Sequence, residues 1–209
     1  MRIIDISQSV GTETAVWPGD QPFELGWTMH QDRGDSVNVA SIRTSVHIGT
    51  HTDGGFHVSP HGIRPAAMPL DSYVGRALVI DARGRAALDE TVIAGIDLTV
   101  TPRLLFRTRD TIDVTEFPPA FLAPTAALAQ RLVEAGVKLI GSDAPSMDEA
   151  TSKTLDSHRI LADGGVATLE NLDLTDVQPG EYTLIALPLK LLEADSSPVR
   201  AVLIEGEIR

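Results

Sequence analysis

The chain contains no cysteine, which removes disulfides, thiol nucleophiles and thiolate zinc sites together, so any metal must be held by imidazole and carboxylate. Such ligands suit catalytic zinc or manganese better than a zinc-finger staple. Basic residues are scarce as well: 17 Lys and Arg against 29 Asp and Glu leave a formal net charge of -12. Affinity for nucleic acid rests on Lys and Arg neutralising phosphates and releasing counterions, so nucleic acid is a poor candidate partner. No stretch of about 18 consecutive apolar residues occurs, and no membrane span is expected. The start, Met1-Arg2-Ile3-Ile4-Asp5, lacks the basic segment, apolar stretch and cleavage site of a secretory signal. A cytoplasmic location is expected. Repeats, low-complexity tracts and long linkers are missing too.

What is present is the composition of a globular protein: 209 residues, 43% hydrophobic and 22% charged, enough to bury a sizeable core in one domain spanning 1–209. Five runs rich in aliphatic and β-branched residues read as strands, namely Ala77 to Ile80, Arg103 to Thr108, Val137 to Ile140, Tyr182 to Leu187 and Val199 to Ile204. Most are nearly continuous in apolar residues, which predicts strands covered on both faces and hence an α/β sheet. The clearest helix lies between Thr125 and Ala135, where Ala127, Leu128, Leu132 and Ala135 share a face and Gly136 supplies a stop. Asp143 follows one strand in Gly141-Ser142-Asp143-Ala144-Pro145-Ser146. It can reach a site at the strand's carboxyl end, but a capping or turn role is the stronger expectation.

Four of the six histidines fall between His47 and His61, and that clustering requires a cause. The run His47-Ile48-Gly49-Thr50-His51-Thr52-Asp53-Gly54-Gly55-Phe56-His57 holds an H-x-x-x-H-x-D pattern with a further His four residues on. A lone H-x-x-x-H is more often a solvated polar loop than a metal site. Adding Asp53 and His57 reverses those odds, because one short segment then supplies most of a set of metal ligands. Gly49 and Gly54-Gly55 disfavour a plain helix and favour a tight turn that aims side chains at one point. His61 has no role in the pattern and is expected in solvent.

These residues resemble the cyclase-like metal hydrolases, and within them the kynurenine formamidases, or arylformamidases, whose pattern is close to H-x-G-[TA]-H-x-D-[AG]-P-x-H. The resemblance extends to Val16-Trp17-Pro18-Gly19-Asp20, to Ser152 through His158, to Leu169-Glu170-Asn171-Leu172, and to Leu184 to Leu191 and Ser197 to Leu203. It therefore covers nearly the whole chain. It implies a single compact α/β domain of the cyclase-like, swivelling β/β/α type and a homodimer. It also implies two divalent ions per subunit, usually zinc, with His47, His51 and Asp53 on the first ion and Asp53 bridging. His158 would bind the second ion, Glu170 would span both, His57 would donate and accept protons, and Trp17 would contact the substrate. Without the resemblance, His158 and Glu170 read as surface residues and Trp17 as a core or turn aromatic. One departure stands out: the family commonly has Pro where this chain has Gly55, and proline would fix the backbone that presents His57.

The activity implied is hydrolysis of N-formyl-L-kynurenine, an aromatic formamide, to L-kynurenine and formate in tryptophan breakdown. A metal can lower the pKa of bound water from 15.7 to about 7, and imidazole can take and return a proton near neutrality. Phe23 or Trp27 can add to an aromatic wall beside Trp17, although both read more readily as core. Two rivals remain at this point. One is hydrolysis of another small or cyclic amide such as isatin; the other is a metal-dependent binding module, which needs the ligands but no positioned acid/base.

Overall fold

The computed structural model describes residues 1–206. In chain order its strands and helices are β1 (Arg2–Asp5), β2 (Glu24–Met29), β3 (Val39–Arg43), β4 (His51–Asp53), β5 (Val74–Asp81), β6 (Arg103–Arg107), α1 (Ala126–Glu134), β7 (Leu139–Ser142), α2 (Asp156–Asp163), β8 (Ala167–Leu169), β9 (Gly180–Ile185), β10 (Ser196–Pro198) and β11 (Val202–Glu205). Among the described residues a seven-stranded sheet runs β1-β11-β9-β5-β6-β7-β8, with the pairs β4–β10 and β2–β3 outside it. Neighbours from β5 to β8 are parallel, whereas β1, β11, β9 and β5 pair antiparallel. The chain is α/β, as its sequence predicts.

The continuous apolar runs have a direct explanation in β6, where side chains alternate between two cores. Leu104 and Phe106 pack with Leu128, Leu132 and Leu161 of the helices. Leu105 instead joins Ile6, Leu139, Leu169 and Leu184 on the opposite face. A strand buried on both faces cannot show the apolar–polar alternation of a half-exposed one.

Helix α1 forms where expected. Thr125 caps it by accepting from the Leu128 N–H at 3.1 Å, and Val137 N–H closes its end on Leu132 O at 3.1 Å. That closing bond delays the next strand, so β7 begins at Leu139 rather than Val137. Similarly, the strand expected from Val199 starts at Val202, because Val199 N–H is committed to Thr50 O at 3.0 Å. The shorter strands and α2 carry no strong periodic signal and emerge only in the fold. Among the described residues no helix is long and apolar enough to cross a membrane.

Because Leu105 is wholly buried, Leu105→Ala should cost about 2–5 kcal/mol in urea denaturation. Leu192→Ala, at a side chain 73% exposed, should change stability by less than about 0.5 kcal/mol.

Candidate metal centre and its pocket

Strand β4 places His51 and Asp53 two residues apart, so both side chains leave the same face. The strand is fixed from two sides. It pairs with β10 in the register Ser196↔Asp53 and Pro198↔His51, and His51 exchanges backbone hydrogen bonds with Glu170, N–H to O at 3.2 and 3.0 Å. The second contact brings Glu170, at the end of β8, beside His51, with its Oε2 3.1 Å from His51 Nε2. His51 Nδ1 lies 2.9 Å from Gly49 O. Since a carbonyl only accepts, Nδ1 carries the proton and Nε2 keeps its lone pair.

His47 sits in the turn before β4, where Gly49 takes φ +57°, a left-handed conformation that costs glycine little. The turn carries His47 back beside Asp53, with Nδ1 3.1 Å from Oδ1. Its other nitrogen, Nε2, donates to Asp195 Oδ2 at 2.9 Å. The two histidines therefore meet through a turn and a strand, as the glycines predict, and not along a helix.

His158 arrives from the first turn of α2. Asp148 holds it there by accepting from Ser157 N–H and His158 N–H at 3.1 and 3.0 Å and from His158 Nδ1 at 2.6 Å. One carboxylate thus caps the helix and sets the imidazole tautomer. His158 Nε2 then faces Glu170 Oε1 at 3.1 Å and Asp53 Oδ2 at 3.5 Å. Just before the helix, Leu155 adopts φ 52°, a strained position for a branched side chain that Ser152 Oγ steadies by accepting its N–H at 3.1 Å.

The donors converge, yet several are not satisfied by one another. Both oxygens of Asp53 and Nε2 of His51 are buried without a hydrogen bond, even though nitrogen and oxygen approach within 3.1–3.7 Å. His47, His51 and Asp53 each place one ligand atom within 4.8 Å of the others, and so do Asp53, His57 and His158. Orphaned buried lone pairs at this density fit a divalent cation. The electrostatics agree. Burial alone would raise the Asp53 carboxyl, but the imidazoles of His158, His47 and His51 hold it well below the usual range. Burial also opposes a charge on His47 and His158, yet the surrounding carboxylates outweigh it, pushing His47 up to about 9 and His158 to about 12. Positive charge is what this cluster lacks, and in the protein alone protons supply it.

His57 lies on a short 3-10 turn, Gly55–His57, with its ring 4.6 Å from that of His47 and 5.8 Å from that of His158. Its Nδ1 is 3.2 Å from Asp195 Oδ2, so Nδ1 donates and Nε2 is the basic atom. Gly54 approaches backbone so closely that a Cβ there would lie 2.7 Å from Ile63 O and 2.9 Å from Asp195 O. Replacement of the family's Pro by Gly55 does not leave this turn unanchored. Phe56 N–H reaches Ile63 O at 3.1 Å, His57 N–H reaches Gly54 O at 2.9 Å and Ser59 N–H reaches Gly55 O at 3.0 Å.

All six of these side chains, His47, His51, Asp53, His57, His158 and Glu170, border one cavity of about 640 Å³, a size suited to a small-molecule ligand. Trp17 also borders it and meets Phe117 edge-on at 5.1 Å between ring centroids. Trp27 does not: it is 40% exposed on β2 and packs against His30, so its expected place in the core is corrected. Phe23 is half-buried and away from the cavity, and His61 is exposed. Asp143 has the capping role expected of it, accepting from Thr108 N–H and Arg109 N–H at 2.9 Å each. Sequence reasoning missed Asp148 and Asp195, since each is far in sequence from the histidines it orients and neither sits in a metal-ligand pattern.

The family described as "Putative cyclase" matches residues 4–149, a stretch that holds His47, His51, Asp53 and His57 and stops before His158. A kynurenine formamidase of Salinibacter ruber is 44% identical over 206 residues, covering 97% of both chains. Among solved structures, a potential metal-dependent hydrolase with cyclase activity superposes with a TM-score of 0.82 at 23% identity, covering 99% of each chain. Isatin hydrolase A of Ralstonia solanacearum gives 0.81 at 21% identity, over 98% of this chain and 92% of that one. Identities this low establish the shared fold alone.

Because His47 is raised from 6.5 to about 9, its protonated form stabilises the metal-stripped protein fully below pH 6.5, and that contribution is lost as pH rises through about 9. With chelator present, the Tm difference between wild type and His47→Gln should be largest near pH 6 and shrink by pH 9.5. A pH-independent difference would show that His47 is not held protonated by Asp53 and Asp195.

Proposed function

The chain belongs to the Cyclase family, and from that premise we propose that it is a metal-dependent arylformamidase hydrolysing N-formyl-L-kynurenine to L-kynurenine and formate. The observation that carries this reading is one cavity bordered by both a dense imidazole–carboxylate cluster and an aromatic wall of Trp17 and Phe117. The 44% identity to a kynurenine formamidase over 97% of both chains favours the formamide over isatin, for which the likeness extends to the fold alone.

In this reading His47, His51 and Asp53 would hold one divalent ion. A second ion would be held by His158, with Asp53 and Glu170 shared between the two. The buried, unsatisfied oxygens of Asp53 support the bridging role, and the mixed imidazole–carboxylate donor set supports zinc. When bound, such a pair supplies Lewis acidity toward the formyl carbonyl and lowers the pKa of water. Trp17 offers a flat apolar face to the substrate ring. His57 holds and moves the proton at Nε2: Asp195 occupies Nδ1, so the free nitrogen can accept a proton from water and return it to the departing arylamine. Leu25, Trp27, Val39 and Ile42 leave the β2–β3 ribbon apolar and exposed, which supports a homodimer. A cytoplasmic location completes the reading. The direct test is formate release from N-formyl-L-kynurenine by metal-loaded protein, with ring opening of isatin measured in parallel. Preference for isatin would reverse the assignment.

His57→Ala should retain metal but lower kcat on the formamide by about 10²- to 10⁴-fold. The deficit should shrink on activated esters, whose leaving groups need little protonation. Loss of metal instead would make His57 a ligand, and equal loss on both substrates would return it to a positioning role. Asp148→Asn removes the carboxylate that fixes the His158 tautomer and should weaken metal affinity about 10- to 100-fold in competitive chelation. Unchanged affinity would leave Asp148 as a helix cap alone.

A further inference from the structure

The proposed reaction occurs at the formamide, but its substrate also carries an α-amino-acid tail whose carboxylate must be accommodated. Arg109 is the one lysine or arginine bordering the cavity among the described residues. The residue is half-buried, and its guanidinium makes no hydrogen bond or ion pair among the described residues. One nitrogen of each cavity histidine already has an acceptor: His158 Nδ1 has Asp148, His47 Nε2 and His57 Nδ1 have Asp195, and His51 Nδ1 has Gly49 O. An unpaired guanidinium at the cavity wall, in a chain of net charge -12, can take an anion, and its planar fork matches a carboxylate in two parallel bonds.

The backbone that carries this side chain is anchored at the start of the loop after β6. Asp143, which is 1% exposed, accepts from the backbone N–H groups of Thr108 and Arg109. Further along the same loop, Ala15 N–H bonds Val114 O at 2.8 Å and Phe117 packs on Trp17. The segment that carries the aromatic wall and the segment that carries the cation are thereby tied together. Resting on the formamidase reading above, we propose that Arg109 is the specificity-determining anchor for the substrate's α-carboxylate. It selects amino-acid-bearing aryl formamides over neutral amides of the same ring size, isatin included.

The test compares metal-loaded wild type, Arg109→Gln and Arg109→Lys on N-formyl-L-kynurenine and on N-(2-acetylphenyl)formamide, which keeps the formanilide and ketone but has no tail. Arg109→Gln should reduce the ratio of kcat/KM for the tailed over the tail-less substrate by about 10- to 100-fold, mainly through KM, as expected for a lost charged hydrogen bond. Arg109→Lys should recover part of the ratio, because it keeps the charge and loses only the fork. An unchanged ratio in Arg109→Gln, whether both substrates suffer equally or neither does, would overturn the anchor while leaving the formamidase reading intact. Wild type that hydrolyses the tail-less formamide but not N-formyl-L-kynurenine would overturn that reading and the anchor with it.

Discussion

Two carboxylates, Asp53 and Glu170, lie buried side by side, with side chains 6% and 3% exposed. Burial disfavours each charge, and each repels the other, so nearby positive charge is required to keep both ionised. Most of the site's architecture answers this requirement. His47, His51 and His158 surround the pair, and a divalent cation satisfies the same demand more completely than protons because it can also take up the lone pairs that hydrogen bonds leave open.

The fold meets the requirement by bringing together the ends of elements that are separate in sequence. Glu170, the Asp143–Asp148 segment and Arg109 follow β8, β7 and β6, so all leave the carboxyl ends of adjacent parallel strands, where α/β folds collect functional groups. Strand β4 joins them through the reciprocal His51–Glu170 backbone pair, and α2 delivers His158 from the helical side. Two cores on opposite faces of β6 keep those strand ends rigid. A site built on close-packed elements holds its donors without needing a long continuous motif.

Around the inner donors, a second set of groups decides which nitrogen of each imidazole is available. Gly49 O does so for His51, Asp148 for His158, and Asp195 for both His47 and His57. Asp195 thus couples His57 to His47 through a single carboxylate oxygen. Asp148 likewise joins the geometry of the site to the stability of α2, since it caps that helix as well as orienting its histidine.

Local chemistry was written directly in the sequence. The absence of cysteine restricted metal ligands to imidazole and carboxylate, continuous apolar runs marked strands buried on both faces, and Gly49 together with the density of histidines marked a turn that gathers ligands. Ala77–Ile80, Arg103–Thr108 and the helix from Thr125 were legible because their signals lie within a few residues of one another. The family's motifs added His158, Glu170 and Trp17, whose own neighbours in sequence gave no sign of a site. Only the tertiary structure decided that Asp148 and Asp195 orient the imidazoles, that Trp27 is exposed, and that the Arg109 guanidinium is unpaired at the cavity wall. The physical reason is that hydrogen-bond partners and burial are relations between segments. Asp195 meets His47 across 148 positions of chain, and no periodicity or local spacing encodes such a contact until the sheet has closed.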